Sequence, residues 1–382
     1  MLLFWIEFHR RIGSFKPMSH PEHNKTMDQL RHDIDAIDDQ LLDLIRTRAE
    51  LAARIGSRKQ AKGNAPFYVP SREAEIIRRL LGKNHGAIPD AALHGIFREI
   101  IGSCLTLEQP LAIAYLGPQG TFTHVAACKQ FGSTANYIAC KNFDEIFDEV
   151  ESGRIMYGVV PVENAFEGAV THTLDLFVDR DVSICAEVLL GINHHLLASS
   201  ERLEDISVVY TKAEVLGQCR QWLQSNLPHA RLEAVASTAA AAEQVVHQNH
   251  AAAIASMETA ERLGLNILKK NIEDHHGNTT RFLVIGQHDS PPSGEDKTAL
   301  VMSTTDRPGA LHDLLEPFHK RHIGLTRIES RPSRRKLWEY VFFADLQGHR
   351  TDEAIASALD DIRSLPDSFV KVLGSYPVAE RL

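Results

Sequence analysis

The chain has 382 residues, 43% of them hydrophobic and 24% charged, and a formal net charge of −9. That length suggests two to three domains. The acidic balance, with no basic run that interleaves aromatics, argues against a general nucleic-acid binder, and no apolar stretch reaches the roughly 20 residues of a membrane helix.

Residues 1–27 contain an apolar run, Leu2 to Phe8, interrupted by Glu7 and preceded by no basic residue. It makes a poor signal peptide, and the segment reads as a disordered extension. The five cysteines, Cys104, Cys128, Cys140, Cys185 and Cys219, are scattered and odd in number. They point to reduced thiols and a cytoplasmic protein.

Residues 28–108 read as all helix. Leu30, Ile37, Leu44 and Leu51 form one column of a seven-residue pattern, and Ile34, Leu41, Arg48 and Ile55 form the other. Arg48 therefore lies on the apolar stripe of a long helix that runs to about Lys62. Lys59 continues that face about 16 Å further on, almost three whole turns later. A buried cation needs a counter-charge, and an anionic ligand between Arg48 and Lys59 would supply it. Arg31 lies roughly 25 Å from Arg48 and is turned about 100° away, so it fits the site of a paired chain better than its own. Pro66 to Pro70 ends the helix. Ser71 opens a second one that stops at Gly82 and turns Glu73, Ile77 and Leu80 inward. A third helix follows Pro89 and carries Leu93, Phe97, Ile100, Cys104 and Glu108 on one stripe. Three helices with one very long member close a core most naturally around a second copy.

From Leu111 strands and helices alternate in an α/β pattern, and a return of the chain near Arg281 suggests two lobes around a cleft. Two strand-to-helix turns stand out, Gly117-Pro118-Gln119-Gly120-Thr121-Phe122-Thr123-His124 and Pro161-Val162-Glu163-Asn164-Ala165-Phe166-Glu167-Gly168. Such turns present backbone N–H groups and hydroxyls to anions. Gly277-Asn278-Thr279-Thr280-Arg281-Phe282 leads into the last strand of the unit and places a hydroxyl and a cation at the cleft. No Gly-x-Gly-x-x-Gly occurs, so a nicotinamide cofactor has no support. His194-His195 and His275-His276 are adjacent pairs without metal-ligand spacing.

Gly286 to Lys297 is rich in Asp, Ser, Pro and Gly and reads as a linker. A βαββαβ pattern follows, with strands near Ala299–Ser303, Gly324–Glu329, Trp338–Asp345 and Val370: a ferredoxin-like arrangement. Pro308 and Gly309 open its first helix, whose N-terminus can take a carboxylate.

These residues carry a resemblance. Arg31, Arg48, Lys59, Arg72, Glu73 and Glu108 resemble the all-helical chorismate mutase domain over residues 28–108. The resemblance implies a unimolecular Claisen rearrangement of chorismate to prephenate, helped by positioning and by stabilising charge on the breaking ether oxygen. It implies that Lys59 and Glu108 donate to that oxygen, Arg48 holds a carboxylate, Glu73 takes the ring hydroxyl and Arg31 crosses from another subunit. The chain departs from some members at Val69, where they carry Asp, and at Glu108, where they carry Gln. The turns and the Thr-Arg-Phe signature resemble prephenate dehydratase over residues 111–286. There Thr280 is implied as catalytic and Arg281 as a partner of a substrate carboxylate. Thr121, Asn164, Thr211, Gln218, Ser237, Thr238 and Phe282 are implied to line the cleft, with Glu163 a weaker candidate. Residues 297–376 resemble the phenylalanine-responsive ACT domain, through Pro308, Gly309, Ala310 and Leu311 and through Glu329, Ser330, Arg331 and Pro332.

Together the resemblances imply a multidomain, homodimeric or larger bifunctional enzyme that makes phenylpyruvate from chorismate by way of prephenate. Phenylalanine would be its feedback inhibitor, and no metal or redox cofactor is called for. A non-catalytic solute sensor with the same lobes would leave Thr280 unexplained.

Overall fold

A computed structural model describes residues 25–62, 68–86, 88–333 and 340–379. The expected extension up to residue 24, Pro66 and Trp338 lie outside the described residues.

The chain forms two compact units, divided after Leu51. The first is the body of helix α1 (Met27–Lys62). Thr26 and Gln29 open it with a reciprocal capping box, each side chain paired to the other's backbone N–H. The expected stripe is present but exposed: Leu30, Ile34, Ile37, Leu41, Leu44 and Leu51 are 45–66% accessible.

The second unit begins with the end of α1, followed by α2 (Pro70–Leu81) and α3 (Asp90–Glu108). Pro70, rather than Ser71, starts α2: it occupies the first turn, where its missing N–H costs nothing, and no side chain caps the helix. Tyr68, just before it, is fully buried among Phe131 and Tyr157. Its hydroxyl accepts a 2.5 Å hydrogen bond from Gln130.

The α/β region then runs β1 (Ala112–Leu116), α4 (Phe122–Phe131), β2 (Asn136–Cys140), α5 (Phe143–Glu151), β3 (Tyr157–Asn164), β4 (Gly168–Ala169), α6 (Thr171–Asp179) and β5 (Ser183–Gly191). It crosses into a second lobe with β6 (His195–Ala198), β7 (Val208–Thr211), α7 (Ala213–Gln218), α8 (Arg220–Asn226), β8 (Arg231–Ala234), α9 (Thr238–Val245), β9 (Ala251–Ala255), α10 (Met257–Leu263) and β10 (Asn266–Lys269). It returns through β11 (Thr279–Gly286). The first lobe's sheet has the order β2-β1-β3-β11-β5, with β4 beside β3, and the second lobe's has the order β10-β6-β9-β7-β8. The returning strand β11 lies between β3 and β5, antiparallel to both.

The C-terminal region is β12 (Asp296–Ser303), α11 (Ala310–Lys320), β13 (Leu325–Pro332), β14 (Tyr340–Gln347), α12 (Glu353–Arg363) and β15 (Phe369–Pro377). Its antiparallel sheet has the order β13-β14-β12-β15. One core joins it to the first lobe: Ala299, Val301, Phe343, Leu373 and Tyr376 pack with Val160, Val162, Leu283 and Ile285. The other face of the first-lobe sheet packs Phe282, Val284 and Val159 against α4 and Tyr68.

Candidate active sites

In the helical region, two of the expected residues meet. Lys59 Nζ lies 3.1 Å from Glu108 Oε2, with both side chains largely buried. The approach depends on Gly56, because a Cβ there would stand 2.9 Å from the Glu108 backbone. Gly56, which lies in neither apolar column, is thus the feature that lets α1 reach the end of α3, and the heptad pattern does not reveal it. Arg48 is half-buried in the first unit. Arg31 is exposed and pairs with Asp28 at 3.4 Å. Arg72 is also exposed, 2.5 Å from Glu75.

Glu73 differs from its expected role. It is 8% exposed, and Arg98 of α3 donates to its Oε2 at 2.6 Å. It lines a small cavity of about 70 Å³ with His94, Arg98, Lys129 and Val188. The α2 face that carries it packs toward the first lobe, where Glu73 is ion-paired with Arg98.

In the α/β region the turns singled out in the sequence gather at the carboxyl ends of parallel strands, where open α/β sheets bind ligands. β1 and β3 run parallel and lead to Thr121 and Asn164, while β7, β8 and β9 run parallel and lead to Thr211, Ser237 and Ser256. Thr121 caps α4 and donates to Leu116 O at 2.8 Å. Ser237 caps α9 through Ala240 N–H, and Thr238 is buried. Thr259 of α10 donates to Gly120 O at 2.8 Å and ties the second lobe to the first glycine-rich turn.

Asn164 and Thr280 are direct partners across β3 and β11. Asn164 Oδ1 accepts from the N–H groups of Phe166 (3.0 Å) and Glu167 (3.1 Å), which fixes its amide. Its Nδ2 then donates to Thr280 Oγ1 at 2.8 Å. Thr280 Oγ1 is therefore an acceptor on that side, and its own O–H proton is directed to another group.

Gln218 is fixed as well. Its Nε2 donates to Glu167 Oε1 at 2.6 Å, so its Oε1 accepts from His194 Nε2–H at 2.7 Å. Burial holds the His194 imidazole below its ordinary pKa despite the neighbouring Glu273, which keeps it neutral in this tautomer. His194 and Glu167 orient Gln218; the one is visible in the sequence only as half of a histidine pair and the other only as part of a turn, because a single sequence offers no sign that residues 24 and 51 positions away touch Gln218.

Three expected cleft residues are placed otherwise. Thr211 is fully buried and donates to Ile254 O at 2.8 Å, completing the β7–β9 edge. Phe282 is 1% exposed and forms core with Tyr157 and Phe131. Arg281 is on the opposite face of β11 from Thr280, since successive side chains alternate. There it is 3 ways engaged: Nε with Glu187 Oε2 at 2.8 Å, Nη1 with Asp345, and Nη2 donating to Tyr376 at 2.8 Å. Lys297 adds a second cation 2.7 Å from Glu187. Burial alone would raise the Glu187 carboxyl, but Arg281 and Lys297 outweigh it and hold the group below its ordinary pKa.

In the C-terminal domain Gly309, at φ +85°, precedes α11 in a conformation that suits glycine, and Leu311 is 37% exposed. Pro308 and Ala310 flank it. On β13, Glu329 and Arg331 alternate with the exposed Ser330 and Pro332. Arg331 Nη2 lies 3.2 Å from both carboxylate oxygens of Asp175 in α6.

Comparison with known proteins agrees with this division of the chain. Family models match chorismate mutase type II over residues 30–109, prephenate dehydratase over 113–290 and the ACT domain over 298–364. A bifunctional chorismate mutase/prephenate dehydratase of Aquifex aeolicus is 47% identical, covering 92% of this chain and 98% of the relative. The chain belongs to that family. A relative of the same name from Pseudomonas aeruginosa is 46% identical, over 92% of this chain and 97% of its own length. Among solved structures, prephenate dehydratase from Arthrobacter aurescens in complex with L-Phe is 36% identical, with a TM-score of 0.64, covering 70% of this chain and 90% of that one. The family's fold accounts for the three regions of this member, including the ferredoxin-like ACT domain behind the dehydratase sheet.

Proposed function

We propose that this bifunctional chorismate mutase/prephenate dehydratase runs its two reactions at separate sites, with phenylalanine as feedback inhibitor. In the mutase site, Lys59 is the principal donor to the breaking ether oxygen of chorismate, with Glu108 beside it and Arg48 holding a carboxylate. Arg31 serves the site of a second copy. The exposed apolar stripe of α1 supports a homodimer, since contiguous apolar patches of this extent mark association surfaces. Arg72 is a rim contact.

In the dehydratase site prephenate loses carbon dioxide and its ring hydroxyl as the ring aromatises. The observation that carries the reading is the Asn164–Thr280 hydrogen bond: it leaves the Thr280 proton free to point at the departing hydroxyl. Thr280 stabilises the leaving oxygen as a donor, being too weak an acid to protonate it outright. Gln218, Thr121, Ser237 and Thr238 supply the polar walls. The ACT domain takes phenylalanine through the Pro308–Leu311 turn and the Glu329–Pro332 strand. With five unpaired cysteines, a cytoplasmic setting fits this chemistry.

A chorismate-to-phenylpyruvate assay tests the assignment. Lys59→Ala abolishes only the first step and Thr280→Ala only the second, with the fold intact in both. One substitution that removes both activities in a folded protein would overturn the two-site division.

A further inference from the structure

The back of the dehydratase sheet carries a connection that the motifs do not announce. Thr280 faces Asn164 across β11 and β3, and Arg281 faces Glu163 one residue along. Alternation puts the first pair on the cleft face and the second directly behind it. The core agrees: Phe282 and Val284 share one packing cluster, while Leu283 and Ile285 share another with the ACT residues Val301 and Tyr376. Both backing residues are held by the ACT domain. Arg281 is gripped by Asp345 and Tyr376, and Glu163 accepts from Arg327 Nε at 3.2 Å. Arg327 lies on β13, the strand that carries Glu329-Ser330-Arg331-Pro332. Its Nη2 is buried without an acceptor among the described residues, so the guanidinium has a donor to spare for a second arrangement.

We propose that Arg281 and Glu163 are positioning residues through which the ACT domain sets the Thr280–Asn164 pair, so that phenylalanine acts on the dehydratase rate along these two contacts. This rests on the reading of Thr280 as catalytic with Asn164 as its hydrogen-bond partner. The physical basis is stiffness. A guanidinium held at three acceptors in one plane cannot rotate without breaking one of them. Asp345, Lys297, Glu187 and Arg281 form a neutral quartet, so displacing any member leaves a buried charge unpaired. A shift of β13 or β14 on ligand binding therefore passes to the backbone of the residues beside Thr280 and Asn164, while the substrate-binding turns on other strands stay put.

The test uses the full chain with Arg327→Gln, Glu163→Gln, the double variant and Arg327→Lys. Dehydratase kcat, KM for prephenate, the phenylalanine inhibition midpoint and the mutase rate are measured. In Arg327→Gln we expect a lower kcat, a KM within about twofold, and an inhibition midpoint displaced by about fivefold or more. The mutase rate stays at the wild-type value, and Arg327→Lys restores the response. The double variant matches either single one, because both remove the same contact. An unchanged midpoint in Arg327→Gln with full mutase activity overturns the proposal, as do single effects that multiply in the double variant. If Arg327→Gln loses both activities, the near-isosteric Asp345→Asn is read by the same criteria. The underlying catalytic reading fails by a different result, a Thr280→Ala enzyme that still dehydrates prephenate.

Discussion

Replacing Asn164 by Asp reverses one hydrogen bond and leaves the rest of the site intact. The native amide accepts from Phe166 and Glu167 N–H and donates to Thr280 at 2.8 Å. A carboxylate of the same shape keeps the two backbone bonds but has no proton to give. Thr280 must then turn its own O–H toward position 164, which withdraws the donor from the departing hydroxyl. Loss of one preorganised donor at a developing oxyanion costs about 100- to 1,000-fold in kcat, or roughly 3–4 kcal/mol. Single-turnover conversion of prephenate to phenylpyruvate by Asn164→Asp should show that loss, with the mutase rate of the same sample unchanged. Acidification provides an internal control. Once the new carboxyl is protonated it can donate to Thr280 as the amide does, so activity should recover as pH falls. An Asn164→Asp enzyme within about threefold of wild type near neutrality, far short of the expected donor loss, would refute the assignment of Thr280 as the donor.

Other outcomes follow from the remaining geometry. Glu108→Gln puts an N–H donor where a carboxylate pairs with Lys59, and chorismate disappearance should stay at or above the wild-type rate; a large loss would show that the ion pair itself is needed. Glu187→Gln should cost about 3–5 kcal/mol of stability near neutrality by leaving Arg281 and Lys297 without their shared carboxylate. The folded Glu187 titrates below its ordinary value of 4.5, so its contribution is complete above that pH and is lost as pH falls through the lower folded value. Denaturation midpoints of wild type and variant should therefore converge in acid, and a constant gap would sink the reasoning. Leu44→Lys, placed on the exposed stripe, should shift the protein toward monomer in sedimentation and lower mutase activity while sparing the dehydratase.

The long helix, the α/β region and the ferredoxin-like domain were legible because each rests on local periodicity and turn chemistry. Thr280 and Asn164 stand out in the sequence because their turns are short motifs, and the fold pairs them at 2.8 Å. What the sequence concealed were partners brought together by topology. The resemblance implies Arg281 as a substrate ligand beside Thr280, but adjacency in a strand means opposite faces. Its real partners, Asp345 and Tyr376, are 64 and 95 residues away on strands of another domain. Glu73 is a similar case: the spacing of Glu73, Ile77 and Leu80 turns it inward, and the partner it meets there is Arg98, 25 residues on. Thr211 and Phe282 are cleft residues only by the resemblance, and no local pattern signals the burial that the structure shows for both.

Tyr68 has a consequence for how such a fused enzyme can be taken apart. The ring that follows the long helix is seated among Phe131 and Tyr157, inside the dehydratase lobe. The mutase portion is thus plugged into its neighbour and not merely strung to it. A nick at Pro110 would leave the two halves associated, and grafting a foreign mutase onto residue 111 would open a hole in the recipient unless an aromatic side chain of the graft filled it.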